Sequence, residues 1–65
     1  MHRIDRALAR CIASLKVCMM RLDDALQYVD DDEWIVRELL MQRRSFIHQQ
    51  VDNLLKLKKR IQHSP

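Results

Sequence analysis

The sequence contains no glycine, and its single proline is the last residue, Pro65. Tight β-turns, β-bulges and phosphate-binding loops depend on glycine, because glycine adopts positive backbone φ angles freely and lets another backbone approach closely. Their absence excludes most folds that are built on strands and most nucleotide-binding loops. The 65 residues suffice for one domain at most. The sequence therefore predicts a single all-α domain.

The chain also lacks a long hydrophobic run, since charged residues recur every few positions. A membrane-spanning helix needs roughly 18 uninterrupted apolar residues, so no membrane span is expected. Cys11 and Cys18 are seven residues apart, which is roughly 10 Å along a helix and too far for a disulfide within it. We expect both thiols to remain reduced, as small apolar core residues of a cytoplasmic protein.

No group of residues has the pattern of a catalytic or metal site. Asp30, Asp31 and Asp32 are adjacent and therefore point in different directions, which suits capping better than paired acid–base chemistry. Ser45 and His48 lie one helical turn apart, but no orienting acid accompanies them. The histidines are scattered without the spacing of metal ligands. We predict a non-enzymatic protein without a metal or a cofactor.

Apolar residues recur at alternating steps of four and three along the first half of the chain. They are Ile4, Leu8, Cys11, Leu15, Cys18, Leu22, Ala25 and Val29. This spacing predicts an amphipathic helix from about residue 3 to about residue 28. Ile12, Met19 and Leu26 form a second column beside this seam. The apolar stripe is therefore wider than one partner helix can cover.

The second half of the chain has its own apolar column, in a different phase. It consists of Leu40, Ile47, Leu54 and Ile61. This column is rotated by about 100° from the position that the first seam would reach in one straight helix. We therefore predict an antiparallel two-helix hairpin, with a turn at about 29–31 and a second helix at about 31–62. One long bent helix is the alternative.

The residues around the predicted turn match the start of a helix. Asp30 is a suitable N-cap, and Glu33, three residues later, completes a capping box. Val29 and Trp34 occupy the two positions of a hydrophobic staple. We expect Trp34 to pack over the turn, and the alternative is that it anchors an interface, since tryptophan is frequent among binding hot spots.

A hairpin of this length cannot bury both apolar stripes by itself, because two helices in contact have no enclosed interior. We expect it to form a four-helix bundle, either by dimerisation or by docking on helices of another protein. The sequence therefore predicts a protein–protein interaction module. The predicted interface residues are Leu15, Met19, Leu22, Trp34, Leu40, Ile47 and Leu54.

Charge is unevenly distributed along the chain. Residues 21–38 contain seven acids and two bases, whereas the remainder contains ten bases and two acids. An antiparallel hairpin would gather seven bases at its open end: Arg3, Arg6, Arg10, Lys56, Lys58, Lys59 and Arg60. Such a patch could bind phosphates, so a small dimeric nucleic-acid-binding regulator is the alternative function. The patch contains no aromatic residue on which bases could stack.

The segment around the turn resembles a known family. Residues 25–34, which read ALQYVDDDEW, followed by Leu40, Arg44 and Ile47, are similar to the helix–turn–helix of flagellar type III export chaperones of the FliT kind. The sequence departs from that pattern in lacking a glycine before the acidic residue and tryptophan, in having Arg37 in place of a leucine, and in stopping after two helices. The resemblance implies a small chaperone or adaptor that binds amphipathic helices of export substrates or secretion components. The implied groove consists of Leu15, Met19, Leu22, Leu40, Ile47 and Leu54.

Overall fold

The protein is a hairpin of two long helices. The computed structural model describes residues 2–63, and Met1, Ser64 and Pro65 lie outside the described residues. Helix α1 spans His2–Gln27 and helix α2 spans Trp34–Gln62, and together they measure 54 × 14 × 10 Å. Neither helix in this range carries a stretch apolar enough to cross a membrane. The predicted all-α hairpin is confirmed, and the single long bent helix is excluded.

The core lies along the line where the two helices meet. Among residues 2–63 the buried apolar side chains are Ile12, Ile47 and Val51, and Ile47 is the most buried, with 2% of its surface exposed. Four partly buried residues pack against them: Leu15, Met19, Leu22 and Leu54. The apolar column of α2 that the sequence indicated therefore faces α1.

Of the two columns that flank the middle of its stripe, helix α1 turns only one toward α2. The column of Ile12, Met19 and Leu26 is buried or half-buried, whereas Cys11 and Cys18 are exposed. The prediction that the cysteines are core residues is wrong. The physical reason is side-chain size: isoleucine, methionine and leucine remove more apolar surface from water than two thiols do, so the hairpin closes on the larger column.

Polar contacts fix how the helices align. The side chain of Gln62 donates a hydrogen bond to the carboxylate of Asp5 over 3.5 Å, and Arg44 pairs with Asp23. The first contact joins the start of α1 to the end of α2, and the second joins the end of α1 to the first half of α2. The helices are therefore antiparallel, and both contacts lie on the same edge of their interface.

The turn differs from the predicted capping box. The side chain of Glu33 accepts a hydrogen bond from the Asp30 N–H over 3.2 Å, which is one of the two bonds of such a box. The other bond, from the Glu33 N–H to the side chain of Asp30, is not formed among the described residues, and Glu33 itself is the N-cap, without a side-chain cap bond. Asp30 as N-cap is therefore wrong. Its carbonyl instead accepts from the Glu33 N–H over 3.0 Å, which closes a turn and delays α2 until Trp34.

The side chain of Trp34 is not packed over this turn, since 67% of its surface is exposed. The staple interpretation of this tryptophan is therefore wrong, although Val29 is half-buried as a staple partner would be. A different residue stabilises the turn. Arg37 reaches back to the Val29 carbonyl over 3.4 Å and to the Asp31 carboxylate over 3.6 Å. None of residues 2–63 has a positive φ angle, so this turn is compatible with a chain that has no glycine.

Candidate protein-binding face

One side of the hairpin exposes several apolar side chains beside the two cysteines. In α1, Ile4, Cys11, Cys18 and Ala25 recur every seven residues, and all four are exposed. The neighbouring columns of α2 add further exposed residues on the same side of the helix interface. We call this surface the cysteine face. It comprises Ile4, Cys11, Cys18, Ala25, Val36, Leu39, Phe46 and Leu57.

The centre of the cysteine face is a shallow groove. Its lining comes from both helices and consists of Arg10, Cys11, Ser14, Leu15, Gln50, Asn53 and Leu54, around a volume of about 570 Å³. The small side chains of Cys11 and Ser14 leave the space, and Leu15 and Leu54 form its apolar floor. The amides of Gln50 and Asn53 line the opposite wall and can hydrogen-bond to a bound chain. The groove therefore suits a partner with apolar side chains and a few polar groups.

Phe46 is the largest side chain of the cysteine face, and it is 53% exposed. The guanidinium carbon of Arg43 lies 5.6 Å from the centroid of its ring, which is the distance of a cation–π contact. Arginine and aromatic residues are enriched at the centres of protein interfaces, because each combines a large contact area with a polar or electrostatic handle. Phe46 and Arg43 therefore have the character of an interface anchor.

The opposite side of the hairpin carries the polar contacts between the two helices. The contacts of Arg44 with Asp23 and of Gln62 with Asp5 both lie there. Exposed apolar residues also occur on this side, Met41 among them, but they alternate with charged groups. Among residues 2–63, the interhelical polar contacts are all on this side and none is on the cysteine face. The two sides of the hairpin therefore differ in the kind of surface that they offer.

Most of the residues that the sequence predicted as an interface lie between the two helices, and Leu15 and Leu54 also line the groove of the cysteine face. Leu15, Met19, Leu22, Leu40, Ile47 and Leu54 are half-buried or buried between α1 and α2. Of the predicted interface residues, only Trp34 is largely exposed. Sequence reasoning missed Leu39 and Phe46 as surface residues. The available signal was their heptad position. Leu39 and Phe46 continue the column of Cys11 and Cys18 in steps of seven, and not the column of α2 that contains Ile47.

The two ends of the hairpin carry opposite charge. At the turn, the carboxylates of Asp30, Asp32 and Glu33 are exposed, with oxygens within 4.8 Å of one another. At the open end, the contact between Asp5 and Gln62 brings the basic segments of both helices to the same level. Six of the seven predicted bases there are exposed and Lys58 is half-buried: Arg3, Arg6, Arg10, Lys56, Lys58, Lys59 and Arg60. The molecule is therefore electrically polarised along its length.

Comparison with known protein families, curated proteins and solved structures found no match to this chain. The resemblance of the turn segment to flagellar export chaperones stays a prediction.

Proposed function

We propose that the protein is a non-enzymatic interaction module that binds helical protein surfaces through the cysteine face. The observation that carries this proposal is the exposure of Leu39, Phe46 and Ile4, each more than half exposed, along one side of a short hairpin. Large contiguous apolar patches are uncommon on soluble monomers and mark interaction sites when they occur. The aromatic anchor at Phe46 and the concave groove beside it support the same role.

The shape of the hairpin supports a helical partner. Two helices packed side by side enclose little interior. Among residues 2–63, only Ile12, Ile47 and Val51 are buried. A second helical pair placed on the cysteine face would complete a four-helix bundle and bury the exposed column of α1. An amphipathic helix is the matching ligand, which is the ligand of a small chaperone or adaptor. The free thiols of Cys11 and Cys18 support a cytoplasmic location, where thiols stay reduced.

A comparison of two charged substitutions tests this proposal. Phe46→Glu places a charge at the anchor of the cysteine face, and Leu55→Glu places one on the opposite side, where Leu55 is 42% exposed. Proteins retained by the native chain from a native lysate, including copies of the chain itself, should be lost with Phe46→Glu and kept with Leu55→Glu. Circular dichroism should show equal helicity for both variants. Equal retention by the two variants would contradict the proposal.

The second candidate function is nucleic-acid binding at the open end. It is favoured by the seven bases that the antiparallel hairpin gathers there, since a dense basic patch binds phosphates. Replacing Lys58, Lys59 and Arg60 together by glutamine should abolish a salt-sensitive gel shift without changing helicity. The aromatic residues Trp34 and Phe46 are remote from these bases in the hairpin, so base stacking contributes nothing there. If the native chain shifts neither RNA nor DNA at low salt, this candidate is excluded.

A further inference from the structure

We infer that the occupant of the cysteine face is a second copy of this chain, bound antiparallel, with Cys11 of each copy facing Cys18 of the other. This inference rests on the proposed function and deepens it by naming the partner and the register. Three features support it: the heptad spacing of the exposed column of α1, the sizes of the side chains in that column, and the charges at the two ends of the hairpin.

The exposed column of α1 is self-complementary under a two-fold rotation. Its members, Ile4, Cys11, Cys18 and Ala25, are evenly spaced about a point midway between the two cysteines, next to Ser14. In an antiparallel pair of α1 helices centred on that point, each Cys11 lies opposite Cys18 of the second copy. Each Ile4 then lies opposite Ala25 of the second copy, so that a large side chain meets a small one. A two-fold dimer requires this kind of surface.

The small side chains in this column allow the two α1 helices to approach closely. Cys11, Ser14 and Cys18 form the middle of the exposed surface of α1, and Cys11 and Ser14 line the groove. The larger side chains of the cysteine face, Leu39 and Phe46, lie on α2 and flank this contact. They would cover the edges of the α1 pair and exclude water from it, which is the arrangement of a four-helix bundle core.

Charge selects the antiparallel arrangement over the parallel one. The segment at residues 21–38, which includes the turn, carries five more acids than bases, and the rest of the chain carries eight more bases than acids. An antiparallel dimer places the acidic turn of each copy beside the basic open end of the other, so both ends attract. A parallel dimer would place like charges together at both ends, which is unfavourable.

The antiparallel register centred on Cys18 fits the surface less well. Centring the pair on Cys18 would bring the Cys18 residues of the two copies together, but it would also place Ile4 opposite Asp32 in the acidic turn. The register centred between the cysteines avoids this contact of an apolar residue with a charged one. It also keeps the centre of the contact at the groove lined by Cys11 and Ser14.

Thiol cross-linking of the full chain tests the partner and the register together. Treatment with diamide, which takes two electrons and two protons from a pair of thiols, should convert the native protein into a disulfide-linked dimer on a non-reducing gel. Cys11→Ser and Cys18→Ser should each fail to cross-link, because the remaining thiols of the two copies lie about 10 Å apart along the helix axis, beyond disulfide reach. Mixing the two variants should restore a linked dimer, since one copy then supplies Cys11 and the other Cys18.

Each departure from this pattern has a defined meaning. Cross-linking of both single variants at the native rate would overturn the antiparallel arrangement in favour of a parallel pair, and cross-linking of either single variant alone would overturn the register. A control chain that carries both serine substitutions and Met20→Cys, on the outer surface of α1, measures random collision. Circular dichroism of every variant should match that of the native chain, because serine at an exposed position preserves the helix.

Sedimentation equilibrium separates failure of this inference from failure of the proposed function. A native chain that sediments at 7.9 kDa would overturn the second copy as the occupant. If Phe46→Glu then still abolished capture of other proteins, the cysteine face would remain a protein-binding surface with a different occupant. If the chain were monomeric and Phe46→Glu and Leu55→Glu behaved alike, both the inference and the proposed function would fail.

Discussion

Arg44 of α2 donates hydrogen bonds to both carboxylate oxygens of Asp23 of α1, from Nε over 2.5 Å and from Nη2 over 3.5 Å. Arg44 occupies a position on the inner face of α2, one turn from Ile47. The pair therefore sits directly beside the buried core, with the two side chains 41% and 48% exposed. It fixes the longitudinal alignment of the helices, because only one register brings the two groups together. Within residues 2–63, no interhelical polar contact on the cysteine face accompanies it.

Removing this pair should destabilise the hairpin by a small, measurable amount. In a double-mutant cycle with Arg44→Ala and Asp23→Ala, we expect a coupling of about 0.2–1 kcal/mol, since both side chains are partly exposed and screened by water. The coupling should fall as salt is added. Chemical denaturation of the four proteins measures it. His48 and Asp52, which are 3.9 Å apart on one helix, provide the control and should couple no more strongly. Zero coupling at low salt would contradict a role in setting the register.

Truncation of the core should have a much larger effect. Ile47 is 2% exposed at the centre of the helix contact, so Ile47→Ala should lower the free energy of unfolding by about 2–4 kcal/mol through lost burial and a cavity. Leu55→Ala removes a similar volume from an exposed position and should cost less than about 1 kcal/mol. Thermal unfolding followed by circular dichroism compares the two. Similar effects would mean that the helices do not pack along the line described above.

The hairpin and the inner face of α2 were predictable from the sequence, because one apolar column in α2 dominates its neighbours. Helix α1 carries three adjacent apolar columns, and its spacing alone does not show which pair faces α2. Leu8, Leu15 and Leu22 lie in the middle column, with Ile12 on one side and Cys11 on the other. Which flanking column becomes buried depends on where α2 packs against α1. The spacing within α1 does not contain that information. Apolar bulk, greater in the column of Ile12, was the available signal.

The start of α2 was predicted three residues too early for a local reason. The pattern of an acid followed by glutamate three residues later fits a capping box, but it equally fits a turn in which Asp30 uses its backbone instead of its side chain. Four consecutive acids at residues 30–33 offer several candidate caps of similar strength. Backbone geometry, and not residue type, decides among them.

The observed turn reverses the expected ranking of two substitutions. Glu33→Ala removes the acceptor of the Asp30 N–H and should destabilise the protein by about 0.5–1 kcal/mol. Asp30→Ala should have a smaller effect, because the Asp30 backbone, and not its side chain, makes the contacts of the turn. Glu33→Gln keeps an oxygen acceptor and should preserve most of the stability. Denaturant titrations rank the three variants, and a larger effect of Asp30→Ala would restore the side-chain cap that the sequence suggested.

Trp34 is the only tryptophan, so its fluorescence reports the start of α2 without interference. Because 67% of its surface is exposed, emission of the free protein should have the maximum of a water-exposed indole. Trp34→Ala should change the stability by less than about 1 kcal/mol, since little apolar surface is lost. A soluble quencher such as acrylamide should reach the ring freely. A blue-shifted maximum together with protection from the quencher would show that the ring is packed over the turn after all.

The effect of salt on the dissociation constant of the dimer has opposite signs for the antiparallel and the parallel arrangement, so it distinguishes the two. In the antiparallel dimer, the acidic turn of each copy lies at the same end of the assembly as the basic open end of the other, so screening removes an attraction and the dissociation constant should rise as sodium chloride is added. In a parallel dimer, screening removes repulsion at both ends, and the dissociation constant should fall. Sedimentation equilibrium at low and at moderate salt measures this sign. Lys58, Lys59 and Arg60 replaced together by glutamine should flatten the dependence, because the open end then loses three of its charges. A triple variant with the native salt dependence would show that these bases do not face the acidic turn of the second copy.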